Sequence, residues 1–329
     1  MRLPFAWIAA MLVATAAEAD VAGVVRCAGG DTMLPLVRTW AQGFSGLHPG
    51  ASVEARSDVR LSADGFAALL AGEADVATFV REPFPAEFAA FRGQHGYELS
   101  LLRVARGSFA TRGGTHALAV FVNADNPLQQ LTLTQLDALL SAAPRRGAGP
   151  TLRHWGELGL RGRWRDRPIH VYGMLHVRNT GNPPGIVNFL QQRVLLGAPF
   201  RADLEEQRDA PGESALQAIV RHVASDQLGI GYSGFAFARA GVKSLALAET
   251  AAGPFVAGSV EAVAAGTYPL SRDLYLGFDR RPGQPLQPLL RAFLRYALSP
   301  AGQQAIRNTP AHFLPLSPRE VAEALRELE

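Results

Sequence analysis

The sequence predicts an α/β protein, and two observations carry that reading. Short apolar runs of strand length, at 24–28, 75–80 and 118–122, alternate with segments whose apolar residues recur every three to four positions. Gly, Pro, Asp, Ser and Thr gather at the junctions, where turns and helix caps need them.

Taken in order, residues 24–28 read as a first strand and Gly29-Gly30-Asp31-Thr32 as a turn. A helix follows with Met33, Leu36, Val37, Trp40, Ala41 and Phe44 on one face, closing at His48-Pro49-Gly50. Residues 52–56 form a second strand, and Asp64 caps a short helix through Phe66, Leu69 and Leu70 that Gly72 closes. A third strand at 75–80 precedes a helix at 85–95 that turns Phe88 and Phe91 inward, then strands at 99–105 and 118–122. Thr132 or Thr134 caps a helix carrying Leu136, Leu139 and Leu140. Residues 143–168, dense in Arg, Gly and Pro, read as irregular surface. Beyond them come a strand at 169–172, helices at 184–197 and 214–224, strands at 230–233, 244–247 and 274–278, and terminal helices at 286–298, 300–307 and 318–329.

The chain has 329 residues, enough for one or two domains. Its 48% hydrophobic and 19% charged residues exclude wholesale disorder. The net charge of +3 is small, no Lys/Arg-rich run occurs, and no nucleic-acid partner is expected. Lys243 is the only lysine, so a single arginine is weak evidence for a site. Residues 1–19 read as a cleavable export signal: Arg2 supplies the positive start, residues 3–17 are apolar, and Ala17-Glu18-Ala19 is a small-x-small cleavage site. The apolar stretch is shorter than the roughly 20 residues a membrane span requires. The mature protein is therefore expected to be exported and not membrane-embedded.

Cys27 is the sole cysteine, which excludes an intrachain disulfide, and its apolar strand favours packing over chemistry. Gly229-Ile-Gly231-Tyr-Ser-Gly234 matches a dinucleotide fingerprint by letter, but the apolar strand runs through the glycines instead of ending before them, so no cofactor is expected. No G-x-S-x-G elbow or H-E-x-x-H pair is present, His170 and His176 lie six apart, and no metal site is expected; Glu205-Glu206 reads as a solvated face. The segment Gly29 to Met33 says more. A glycine turn into a helix start, with a Thr hydroxyl beside it, suits an anion; the alternative is that Asp31 or Thr32 merely caps the helix.

That segment also resembles the opening of the phosphate-binding proteins of bacterial ABC transporters. So do Leu70-Ala-Gly-Glu-Ala-Asp75-Val-Ala, Val80-Arg81-Glu-Pro83, Val120-Phe-Val-Asn-Ala-Asp-Asn-Pro-Leu128 with Leu131-Thr-Leu-Thr-Gln-Leu136, Gly229-Ile-Gly-Tyr232, Tyr268-Pro-Leu-Ser-Arg-Asp-Leu-Tyr275 and Leu298-Ser-Pro-Ala-Gly-Gln303. These segments span nearly the whole mature chain in family order. The resemblance implies a two-lobe type II periplasmic binding protein fold with a ligand cleft between the lobes. Lobe 1 would combine 20–115 with 247–329, and lobe 2 would be 116–246. It implies a monomeric periplasmic binder that captures inorganic phosphate or another small oxyanion and delivers it to an ABC transporter permease. Matching ligand positions are Thr32 and Met33 at the first helix start, Ser57 after the second strand, Arg81 after the third, and Arg178, Thr180 and Gly181 in the second lobe.

Two departures stand out. The second-lobe cradle of the family is Ser-Gly-Thr opening a helix, whereas here the region reads Arg178-Asn-Thr-Gly-Asn-Pro-Pro-Gly-Ile186. Either Thr180-Gly181-Asn182 stands in, or the match falls on Pro184-Gly185-Ile186 and loses both hydroxyls. Asp58 would also bring a carboxylate near the ligand, to be offset by Arg60 or Arg81. Two other functions stay open on the sequence: a secreted phosphatase-like hydrolase in which His176 activates Thr180 or Ser57, and a non-transport sensor or adhesion module on the same fold.

Overall fold

Residues 21–147, 149–176 and 181–329 are described by the structure, a computed structural model. The expected export signal lies outside the described residues. From the N-terminus the chain forms β1 (Gly23–Gly29), a 3-10 turn (Asp31–Met33), α1 (Leu34–Leu47), β2 (Ala51–Ala55), α2 (Ser62–Leu70), β3 (Val76–Phe79), α3 (Pro85–His95) and β4 (Ser100–Arg106). The middle of the chain contributes β5 (Leu118–Asn123), β6 (Gln130–Thr132), α4 (Leu133–Leu140), β7 (His170–Met174), α5 (Gly185–Arg193), β8 (Glu205–Gln207), α6 (Ala215–Ser225), β9 (Gly229–Gly234), β10 (Val242–Ser244), β11 (Ala246–Ala248) and α7 (Val260–Ala264). It ends with β12 (Asp273–Phe278), α8 (Pro288–Leu298), α9 (Pro300–Arg307) and α10 (Pro318–Glu327).

Among the described residues the strands make two five-stranded sheets and a two-stranded one, β11-β6. The first has the order β2-β1-β3-β12-β4, with β2, β1 and β3 parallel and β12 antiparallel to both its neighbours. In the second, ordered β10-β5-β9-β7-β8, strands β9, β7 and β8 run parallel and β5 runs against β9. Each five-stranded sheet has its own core. Helix α1 buries Leu36, Val37, Trp40 and Phe44 on the first, where Trp40 Nε1 donates to Gly302 O at 2.9 Å and ties α1 to α9. The second core gathers Phe121, Leu136, Trp155, Leu190, Ile219 and Tyr232.

Several expectations are adjusted by this packing. Residues 247–270, expected in the first lobe, pack with the second: Leu247, Val263, Tyr268 and Leu270 are buried in its core, and β11 pairs with β6 there. Asp64 does not cap α2; Leu61 is the cap residue, and Ser62 Oγ instead accepts from Val80 N–H at 3.1 Å. The expected strand at 244–247 divides between β10 and β11, which pair with different partners. The expected irregular surface at 143–168 is not all surface: 3-10 turns at Trp155–Leu158 and Gly162–Trp164 bury Trp155 and Trp164, edge to face and 6.2 Å apart. Helix α5 stops at Arg193, before Leu196 and Gly197 turn the chain through positive φ. The glycines of Gly229–Gly234 lie inside a buried strand, not in a loop before a helix. Cys27 is buried, and burial pushes its thiol pKa up, away from reactivity.

Two crossovers join the sheets and run side by side. Gly107 N–H donates to Arg272 O at 2.8 Å, Leu118 N–H to Leu270 O at 3.1 Å, and the buried Tyr268 hydroxyl to Leu118 O at 2.8 Å. His116 lies in the first crossover, 3% exposed, with Nδ1 donating to Ala117 O at 3.0 Å. Burial, and secondarily the charge of Arg272, lower its pKa below the ordinary value. The native state therefore keeps His116 neutral where the unfolded chain takes up a proton, so stability is lost as pH falls below the unfolded value of about 6.5. Denaturant melts of wild type and His116→Gln at about pH 7 and about pH 5 check this: wild type should lose stability relative to the variant at the lower pH. An unchanged difference would contradict it.

Candidate functional site

Parallel strands leave their C-terminal ends, and the loops that follow, at one edge of a sheet, where open α/β folds bind ligands. At that edge of the first sheet lie the turn after β1, residues 56–61 after β2, and residues 80–84 after β3. In the second sheet β7 ends at Met174 and the chain leads on to α5. These two edges approach each other at residues 80–84. Asn188 Nδ2 of α5 donates to Glu82 O at 2.9 Å, and Gln192 Nε2 to Pro83 O at 3.1 Å. From the other side, Val80 packs on the first helix start: a Cβ placed on Gly30 would lie 2.7 Å from Val80 Cγ1. The starts of α1 and α5 thus flank a single loop.

The Thr32 hydroxyl is the most informative atom at the first helix start. Neither Asp31 nor Thr32 caps the helix; Gly30 caps the 3-10 turn and Met33 caps α1, both without a side-chain bond. Thr32 Oγ1 is buried and has no hydrogen-bond partner among the described residues. A buried hydroxyl without a partner is costly, so Thr32 Oγ1 calls for a bond that water, an ion or a ligand supplies. Met33 behaves differently from its assignment. Its side chain is fully buried in the core and its N–H already donates to Gly30 O at 3.0 Å, so it orders the turn and offers no free donor.

Ser57 is exposed and lines an open groove of about 430 Å³ with Asp31, Thr32, Leu34, Pro35 and Arg60. The charges of this loop neutralise one another. Asp58 accepts from Arg56 at 2.7 and 3.2 Å, bonds that hold its carboxyl below the usual range, and Arg60 lies 3.6 Å from Asp31. The expected carboxylate beside the ligand is therefore turned to Arg56. Arg81 is committed as well: Nη1 and Nη2 donate to both Glu87 oxygens at 2.8 and 2.6 Å, and its guanidinium stacks 3.7 Å over the Phe84 ring. It is a fixed charge in the wall, not a free arm.

Arg178 and Thr180 lie outside the described residues. Gly181 is described, exposed and at φ +77°, a left-handed turn residue. Helix α5 starts at Gly185 after Pro184, with no side-chain cap. His176, the base of the hydrolase alternative, has Nδ1 2.8 Å from Glu206 and its ring stacked on Phe200; burial lowers its pKa. Sequence reasoning missed Arg272, Glu82 and Asn188, which join the lobes at this edge. Arg272 stood in a quoted family segment, but its role depends on a crossover that no local spacing reveals. A further groove, about 730 Å³, is at the opposite end of the first sheet, between the starts of β1 and β3, and holds the Arg26–Asp75 pair at 2.8 Å and the Tyr97–Asp279 bond at 2.7 Å.

The state of Thr32 makes a stability prediction. Thr32→Val should leave the chain as stable, or more stable by up to about 1 kcal/mol, because it deletes an unpartnered buried hydroxyl. A capping hydroxyl would instead cost about 1 kcal/mol on removal. Thermal or denaturant melts distinguish the two.

Comparison with known proteins places this geometry in a family. Residues 14–301 match the family model of the PBP superfamily domain. The phosphate-binding protein PstS of Pseudomonas aeruginosa is 32% identical over 308 residues, covering 94% of this chain and 88% of that protein. Among solved structures, PstS from Borrelia burgdorferi superposes with a TM-score of 0.57 at 14% identity, over 89% of this chain and 99% of that one. An ABC-type phosphate transport receptor from Vibrio cholerae does so with a TM-score of 0.53 at 15% identity, over 88% and 99%. The two five-stranded sheets joined by two crossovers are the type II periplasmic binding protein architecture, and the chain belongs to the phosphate-binding protein family of the PBP superfamily.

Proposed function

We propose that this protein captures phosphate, or an oxyanion closely like it, between its two lobes and delivers it to the permease of an ABC transporter. The observation that carries the reading is the unpartnered Thr32 hydroxyl at a helix start that shares one loop with the start of α5. Helix starts supply directed N–H donors and a favourable dipole, and a hydroxyl completes a tetrahedral anion's shell. Family membership supports the same ligand. On this reading the lobes are 21–106 with 273–329, and 117–270, joined by the two crossovers; residues 1–19 are a cleavable signal, and the mature chain works as a periplasmic monomer. Thr32 and Ser57 would contact the ligand from the first lobe. Arg178, with Thr180 and Gly181 or the start of α5, would contact it from the second.

Calorimetric titration and thermal melting with phosphate, sulfate, molybdate and small carboxylates test this. Phosphate at 100 times its dissociation constant should stabilise the protein by about 2.7 kcal/mol. Thr32→Val should weaken phosphate binding by about 0.5–1.5 kcal/mol. Arg178→Ala, which truncates a charge-assisted contact, should weaken it by about 2–5 kcal/mol. Neither heat nor a melting shift with any oxyanion would overturn the proposal.

A further inference from the structure

Arg272 lies at the end of the second crossover, and its side chain is 5% exposed. Nη2 donates to Glu82 Oε2 at 2.7 Å, and the guanidinium sits 5.3 Å from the centroid of Phe189, on α5. Nε is buried and has no partner among the described residues. Gly185, the first residue of α5, leaves room for this arrangement: a Cβ there would lie 3.7 Å from Arg272 Nη2 and 3.3 Å from Arg81 Cβ. Two arginines therefore pack against the first turn of one helix.

The electrostatics of that placement are unfavourable as they stand. A helix N-terminus carries roughly half a positive charge, so a guanidinium beside it is repelled. Arg81 is neutralised by both oxygens of Glu87, whereas Arg272, with five N–H donors, donates to Glu82 through Nη2 and leaves Nε without a partner among the described residues. An under-satisfied buried cation at a helix start is the chemistry of an anion site.

We propose that Arg272 is a ligand-binding residue of the oxyanion site, contributed by the crossover and not by either helix start, and that Glu82 competes with the ligand for its guanidinium. A dianion such as hydrogen phosphate, with charge enough to draw Nη2 from Glu82 and satisfy Nε, is the ligand class this selects. The proposal rests on the phosphate reading above. It assigns Arg272 a direct contact and Glu82 the role of setting affinity.

Phosphate is titrated calorimetrically into phosphate-free wild type, Arg272→Gln, Arg272→Lys and Glu82→Gln, with melting curves recorded before titration. Arg272→Gln should weaken binding by about tenfold or more, with part of the loss recovered in Arg272→Lys. Glu82→Gln should lower the melting temperature yet tighten phosphate binding by about threefold or more, an outcome that a purely structural ion pair does not produce. If Arg272→Gln fails to fold, Glu82→Gln decides alone. Unchanged or weaker binding by Glu82→Gln, or Arg272→Gln within about twofold of a wild type that binds, overturns the role of Arg272 and leaves the phosphate reading standing. A wild type that gives no heat with phosphate overturns both.

Discussion

Two guanidiniums, Arg106 and Arg272, are buried along the seam between the lobes and a third, Arg81, is nearly so; each needs a carboxylate, because taking a charge out of water costs several kcal/mol unless a partner offsets it. Arg106, 4% exposed, is held by Asp273 at 3.0 Å and by Glu320 of α10. Arg81 has Glu87, and Arg272 has Glu82. Each pair links segments distant in sequence or fixes a loop between two elements: β4 to β12 and α10, the loop after β3 to α3, and the second crossover to that same loop. Removing one member would strand a buried charge, so the arginines and their acids fix the seam together. Burial acts on the acids too, since it raises the pKa of Asp273 against the lowering influence of Arg106 and Arg103.

The seam in turn positions the site. Arg81 is locked against Glu87 and Phe84, which holds residues 80–84 in place between the starts of α1 and α5. The contrast with other helix starts is instructive. Helices α4, α6, α7, α9 and α10 begin with a Thr or Ser whose side chain accepts a backbone N–H. The turn into α1 and the starts of α2, α3, α5 and α8 have no such bond; at the first of these, Thr32 is at hand. A hydroxyl that could cap and does not, buried beside uncapped helix starts, is the arrangement that a bound anion completes.

Much of the fold was legible because its elements carry strong local signals. The 3–4 spacing of Leu36, Val37, Trp40 and Phe44 gave α1; Pro85 and Pro300 marked the starts of α3 and α9, which match the expected bounds. Short elements were missed because their partners decide them. Strand β8, Glu-Glu-Gln, is polar and exists only through pairing with β7, and β6 only through β11. The lobe boundary failed at 247–270 for the same reason: the apolar residues there are compatible with either core, and tertiary packing chose the second. At the site, family order pointed to Thr32 and Ser57 but could not show that Met33 N–H and the Arg81 guanidinium are already occupied. Nor could it show that Arg272 reaches the start of α5. Those facts depend on contacts between residues tens of positions apart.

The central claim is that one anion is held between the Thr32 turn and the start of α5. A crystal structure of the mature protein grown with phosphate tests it most directly. The account predicts phosphate in the interlobe cleft, with one oxygen within hydrogen-bond distance of Thr32 Oγ1 and others facing the second lobe. Phosphate bound elsewhere, or a cleft in which Thr32 Oγ1 bonds only to protein groups, would contradict it.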